Sequence, residues 1–193
     1  YRVALSGKTH IGPKSVFPFE KPKGAGLVKA AGNFFADCKE ENDPFCVFFC
    51  SNEPHTPWNK GDPSRYEANK LKLPPYFVDT PETREVMTRY LAEITYFDGE
   101  VGGILAALDE SGLRKNTLVI VVSEQGSSMP FAKWTCYDSG LQSAFIARWP
   151  GKIQPGSINR AMIEYVDLVP TYVEAAGGTP DRVLDGKSLL PVF

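Results

Sequence analysis

Three short, almost unbroken apolar stretches constrain this chain more than any other feature. They are residues 44–50 (Pro-Phe-Cys-Val-Phe-Phe-Cys), 117–122 (Thr-Leu-Val-Ile-Val-Val) and 144–149 (Ala-Phe-Ile-Ala-Arg-Trp). Each has strand length and is rich in β-formers, with no apolar/polar alternation. Such runs suit strands covered on both faces, as in parallel sheets sandwiched between helices. Between the first two lies a segment, residues 80–111, in which Val86, Tyr90, Leu91, Ile94, Phe97, Val101, Ile104, Leu105 and Leu108 recur at helical spacing. Thr80 is a natural N-cap with Pro81 behind it, and Gly112 supplies the stop. Strand, helix, strand in this order predicts an α/β fold with a mostly parallel central sheet flanked by helices. Residues 2–6 read as a further strand stub, and residues 164–176 as a helix halted at Gly177-Gly178. Residues 13–43, rich in Lys, Gly and Pro, read mostly as loop. Residues 51–79 form a second long, proline-rich excursion, and loops of that length are usually functional.

The chain's 193 residues suit one domain or a large piece of one. Twenty-one basic against 23 acidic side chains give a net charge of −2, so there is no bulk attraction to nucleic acid. Hydrophobic residues make up 42% and charged residues 23%, enough for a packed core. No apolar run approaches the roughly 20 residues of a membrane span. The chain opens Tyr1-Arg2-Val3, without Met and without the basic start and apolar stretch of a signal peptide. The expectation is a processed or truncated product. The four cysteines are too few for a disulfide scaffold. Cys46 and Cys50 share one side of their strand and read as buried thiols rather than as a metal pair. The redox compartment stays open.

In a parallel sheet, ligands gather beyond the carboxyl ends of the strands. After the first strand comes Gly7-Lys8-Thr9-His10-Ile11-Gly12, and after the second Asn52-Glu53-Pro54-His55-Thr56-Pro57-Trp58. After the third come Ser123-Glu124-Gln125-Gly126 and then Phe131-Ala132-Lys133-Trp134. The chain's only two histidines both fall at strand ends. Glu124 and Gln125 offer hard oxygen ligands suited to Ca²⁺ or Mg²⁺. Lys8 and Lys133 can hold a tetrahedral oxyanion as point charges, and His10 and His55 can move protons near neutral pH. The set describes metal-assisted cleavage of a sulfate or phosphate ester. Each member also has a plain structural reading: a solvated lysine, a satisfied histidine, a turn-capping glutamate. Gly7 to Gly12 lacks the spacing of a phosphate-cradling P-loop.

These segments, in this order, resemble the type I sulfatases of the alkaline-phosphatase-like superfamily. Residues 7–12 resemble that family's Gly-Lys-x-His-hydrophobic-Gly signature, and residues 54–57 its Pro-His-x-Pro loop. The helix containing Phe97-Asp98-Gly99-Glu100-Val101-Gly102 resembles its long helix before the last central strand. Residues 123–126 resemble its Ser-Asp-(His/Asn)-Gly metal turn, and residues 148–151 and 185–189 have counterparts too. The resemblance implies an alkaline-phosphatase-like α/β fold and hydrolysis of sulfuric esters or sulfamates, on a sulfated carbohydrate as substrate partner. It implies that Lys8 contacts the nucleophile and the sulfate, and that His10 hydrogen-bonds the nucleophile and helps expel sulfate. It implies that His55 and Lys133 bind sulfate oxygens and assist the leaving group. Glu124 and Gln125 would be two metal ligands, Ca²⁺ being the usual ion and Mg²⁺ the other candidate. By adjacency, Trp58, Lys60 and Trp134 are assigned to the substrate pocket.

Two departures matter. Glu124 stands where the family usually has Asp, one methylene further out. The family's nucleophile, a formylglycine made from a (Cys/Ser)-x-Pro-x-Arg motif, has no match here. Gly61-Asp62-Pro63-Ser64-Arg65 comes nearest, with no side chain at the reactive position, and reads as a decoy. The paired N-terminal aspartates are absent as well. The expectation is therefore an incomplete domain: residues 1–193 as the middle and later part of a catalytic domain, with 150–193 leading into the smaller C-terminal subdomain. A missing N-terminal segment would be the companion that supplies the formylglycine, and this chain alone would be inactive. Competing readings are a phosphodiesterase or phosphonate hydrolase of the same superfamily, or a non-catalytic protein that binds sulfated glycans. The resemblance implies a periplasmic or secreted location, with no nucleic acid or membrane span involved.

Overall fold

The computed structural model describes all 193 residues, and the chain divides into two compact units. The first comprises Tyr1–Leu113 with Val122–Ala144, the second Arg114–Val121 with Phe145–Phe193.

In the first unit, β1 (Arg2–Gly7) and β2 (Phe45–Cys50) pair in parallel, with Arg2 opposite Phe45 and Gly7 opposite Cys50. Helix α1 (Leu27–Glu41) connects them as a β-α-β unit. On its other edge β1 meets residue 20: Leu5 N donates to the Glu20 carbonyl (2.9 Å), and Glu20 N to that of Val3 (3.0 Å). The sequence reading took all of residues 13–43 as mostly loop, and α1 corrects it. The Lys, Gly and Pro content that suggested loop sits before Gly26. Beyond it, Ala30, Ala31, Phe34, Phe35 and Cys38 recur at helical spacing and are all buried. The helix ends at Asn42, whose left-handed backbone returns its N–H to the Cys38 carbonyl. Phe34 and Phe35 pack on Phe45 with ring centroids 5.8 and 5.5 Å apart, joining α1 to β2 in the core.

Helix α2 (Pro81–Glu110) forms as the capping residues predict: Thr80 Oγ1 accepts the Thr83 N–H at 3.2 Å, with Pro81 in the first turn. It lies against α1, where a Cβ on Gly103 would come within 2.7 Å of Val28 Cγ2. Its fully buried residues are Thr88, Ala92, Glu93 and Leu108. Val86 and Ile94, counted on the apolar face from sequence, are 38% and 37% exposed. The short α3 (Asp138–Leu141) completes this unit.

The second unit contains β3 (Val119–Val122), all but its last residue, and β4 (Phe145–Arg148), paired as a separate two-stranded sheet. After β4, a turn over Tyr165–Asp167 runs into α4 (Leu168–Ala175), within the helix anticipated at residues 164–176. Asp167 closes the turn by accepting from the Glu164 N–H at 2.9 Å. The strands were expected to be buried on both faces, and they are not: β2 and β3 are half-buried throughout, and Ile146 on β4 is 63% exposed. Two-stranded sheets leave edges and part of each face uncovered.

Candidate active site

The carboxyl ends of β1 and β2 release the chain side by side. Gly7 turns it there with φ of 95°, and the next amide, Lys8 N, donates to the Cys50 carbonyl at 2.9 Å. A Cβ on Gly7 would lie 2.0 Å from that carbonyl oxygen, so only glycine permits the approach. The turn brings Lys8 and His10 beside the loop that follows β2. Lys8, His10, His55 and Lys60 line one hollow of about 440 Å³, together with Asn52 and Glu53. Three of the four residues expected to be catalytic therefore share a cavity, along with one of the three assigned to substrate.

Within this loop His55 N donates to the Asn52 carbonyl at 3.1 Å, forming the turn that presents the imidazole. His55 Nδ1 lies 2.7 Å from the Thr56 carbonyl oxygen. A carbonyl only accepts, so Nδ1 carries the hydrogen and Nε2 is left for a ligand. Trp58 is half-buried: its Nε1 donates to the Pro54 carbonyl at 3.2 Å, and its ring meets that of Tyr90 edge-on at 5.5 Å. Lys60 Nζ lies 6.0 Å from the centre of the Tyr96 ring. Gly61 passes so close to α2 that a Cβ would fall 2.3 Å from the Ala92 carbonyl oxygen. Asp62 caps the turn after it, accepting from Ser64 N at 3.0 Å. The near match to the nucleophile motif thus has a packing explanation.

The remaining expected residues form a second group, on the segment after β3. Lys133 Nζ lies 4.0 Å from a Glu124 carboxylate oxygen and 5.4 Å from the centre of the Trp134 ring. Glu124 and Gln125 are exposed, and Trp134 is 86% exposed. Gly126 is fixed by contact, because a Cβ there would lie 2.0 Å from the Ser139 carbonyl oxygen. Lys133 N donates to the Ser127 carbonyl at 2.8 Å, holding the turn closed.

Tyr90 joins the two groups, and sequence reasoning placed it only on an apolar helix face. Its ring supports Trp58 of the His55 loop, while its hydroxyl is hydrogen-bonded to the Ser127 side chain of the Glu124–Lys133 turn. Burial raises the hydroxyl's pKa, against the opposing effect of Ser127, so it stays protonated. Glu93, one turn along, was also missed, since charged residues on helices ordinarily face water.

A hard cation would find oxygen donors of the right type in Glu124 and Gln125. It would not find enough of them, because Ca²⁺ takes about six to eight oxygens. No group of three or more His, Cys, Asp or Glu residues here could hold a metal ion. The 193 residues thus carry at most part of such a site. All four cysteines are free, and burial raises the thiol pKa of Cys38, Cys46 and Cys50, which keeps them protonated.

Comparison with known proteins gives this geometry its class. The family model for Sulfatase matches residues 9–178. An ulvan-active sulfatase of Formosa agariphila is 32% identical over 205 residues, covering 100% of this chain and 40% of the relative. An endo-4-O-sulfatase of Bacteroides thetaiotaomicron is 30% identical, covering 97% of this chain and 39% of the relative. A solved structure from the glycosaminoglycan-metabolism locus of B. thetaiotaomicron superposes with a TM-score of 0.71 at 26% identity, covering 86% of this chain and 39% of that one. The lipoteichoic acid synthase LtaP of Listeria monocytogenes shares the fold, with a TM-score of 0.63 at 17% identity over 98% of this chain and 53% of its own. The chain belongs to the sulfatase family, with the α/β fold of the alkaline-phosphatase-like superfamily. It spans about 40% of the length of the curated relatives it matches. The family as a whole is one of metal-dependent enzymes with a formylglycine nucleophile.

Proposed function

We propose that this chain carries the sulfate-binding and proton-transfer part of a sulfatase active site that acts on a sulfated carbohydrate. The observation behind this reading is the single hollow lined by Lys8, His10, His55 and Lys60 at the ends of two parallel strands. Two ammonium groups facing one cavity suit a bound sulfate ester, which carries its negative charge on the non-bridging oxygens. Lys8 holds those oxygens from the β1 side. His55, its Nδ1 engaged by the Thr56 carbonyl, has Nε2 available to protonate the sugar oxygen as the S–O bond breaks. Lys133 assists at the same oxygen and His10 moves a proton at the attacking group. These residues carry no (Cys/Ser)-x-Pro-x-Arg motif for a formylglycine, the group that would supply the attacking hydroxyl. Glu124 and Gln125 are two oxygen ligands of a hard cation, with Ca²⁺ favoured; Trp58 and Trp134 border the sugar. Relatives named for ulvan and for 4-O-sulfate cleavage support a glycan as substrate.

The test is release of inorganic sulfate from ulvan and from a glycosaminoglycan by the full-length parent protein. His55→Ala should lower the rate at least ~100-fold, the contribution of a positioned general acid. No release from any sulfated glycan or aryl sulfate, or an unchanged rate in His55→Ala, would overturn the proposal.

A further inference from the structure

Glu93 has no solvent exposure, although it sits in the middle of a surface helix. Burying a carboxylate costs several kcal/mol unless it is fully hydrogen-bonded. One of its oxygens, Oε1, accepts two backbone N–H groups, from Asn59 at 2.6 Å and Lys60 at 3.0 Å. The other, Oε2, is buried and meets no N–H or hydroxyl donor. Beside the Glu93 carboxyl group stands a second one, that of Glu53. Two carboxylates are both acceptors, so this contact becomes a hydrogen bond only when one of them holds a proton. Burial favours the protonated form of Glu53, and so do Glu93 and Glu100 of α2; Lys60 opposes them. Lys8 and His10, from the end of β1, line the same hollow as Glu53.

The positions of these contacts along the chain are informative. Glu53 precedes the Pro54–Trp58 stretch and Asn59–Lys60 follows it, so one side chain grips both ends of the loop that presents His55. We infer that Glu93 is the positioning residue of the His55 loop, holding one end through two backbone amides and the other through a hydrogen bond from the Glu53 carboxyl. It touches no reacting atom, and its effect on sulfate handling passes through His55. The inference rests on the reading of His55 as a site residue.

The experiment uses isotope-labelled wild-type chain, Glu93→Gln and Glu93→Ala, followed by NMR. In the wild type the Glu53 carboxyl should titrate clearly above the ordinary ~4.3 of glutamate. Glu93→Gln keeps an oxygen for the two amides and turns an N–H toward Glu53, whose carboxylate then needs no proton. Its titration should fall to the ordinary value or below, while exchange protection of the Asn59 and Lys60 amides stays within ~3-fold of wild type. In Glu93→Ala that protection should fall at least ~10-fold, and inorganic sulfate, titrated against the His55 resonances, should bind roughly tenfold more weakly; Glu93→Gln should recover both. An ordinary Glu53 titration in the wild type, the same titration in Glu93→Gln, or undiminished protection in Glu93→Ala would each overturn the inference. If Glu93→Ala does not fold, the Glu53 titration in wild type and Glu93→Gln decides. If inorganic sulfate binds none of the three, the sulfate-site reading fails, and the exchange and titration data still decide the role of Glu93.

Discussion

Replacing Gly7 by Ala tests the link between the strand ends and the hollow. At φ of 95° an alanine is strained, by about 1–2 kcal/mol. Its methyl would lie 2.0 Å from the Cys50 carbonyl oxygen and 2.9 Å from Leu27 Cδ2. The backbone must therefore retreat by about an ångström, and the Lys8 N–Cys50 O bond, 2.9 Å long, stretches or breaks at a further cost of about 1 kcal/mol. Together these give a loss of about 2–3 kcal/mol, a sizeable part of the ~5–15 kcal/mol that stabilises a domain. For a chain of this length the melting temperature should drop by roughly 4–12 °C. Urea unfolding followed by far-ultraviolet circular dichroism measures the free-energy change. Gly12→Ala is the internal control: a Cβ at Gly12 meets nothing within 4 Å, and its cost should stay within about 0.5 kcal/mol. Equal stabilities for the two variants would refute the claim that contact geometry, rather than the mere presence of glycine, shapes this turn.

Other outcomes follow from the same structure. Phe34→Ala empties a site only 2% exposed between two aromatic neighbours, Phe35 and Phe45, and the Arg2 guanidinium, and should cost about 3–5 kcal/mol in the same unfolding assay. The Arg2 guanidinium hydrogen-bonds Glu20 and holds its carboxyl pKa below the ordinary value. Stability from this pair is present above pH ~4.3 and is lost as pH falls through the lowered pKa, so Glu20→Gln should flatten the acid limb of the stability–pH curve. In the parent enzyme, Lys133→Ala should reduce turnover on a sulfated substrate at least ~10-fold, whereas Lys187→Ala, on a backbone that donates to Asp167 in the other unit, should leave it unchanged; equal effects would count against the assigned site.

The elements with one dominant local signal were legible before the structure was known. Thr80 and Pro81 marked the start of α2, and the apolar runs marked β2, β3 and β4, because capping and β-former clustering act over a few residues. Helix α1 was obscured because its apolar stripe follows a stretch dense in glycine, proline and lysine, and a window spanning both averages them away. The gathering of Lys8, His10 and His55 was legible because each follows a strand, and parallel pairing brings strand ends together. Lys60's place in the same hollow was reached only through its adjacency to the expected site residues. Tyr90 and Glu93 were not legible as site residues. Their role depends on which loop crosses the helix, and that contact spans more than thirty positions for Asn59 to Glu93. A buried glutamate looks like a solvated one until its amide partners are known.

Because Tyr90 and Glu93 stand three apart on one helix, both loops of the site take their placement from a single rigid rod. A rod tolerates changes of length poorly. One residue inserted between these positions would turn everything beyond it by about 100° and advance it by about 1.5 Å, carrying one support away from its loop while the other stayed put. The loops face no such constraint. Among relatives, gaps should therefore accumulate between residues 62 and 79 and be missing from residues 88–96. A chain that gained a residue in that helical stretch would have to lose one nearby, or give up one of its two grips on the site.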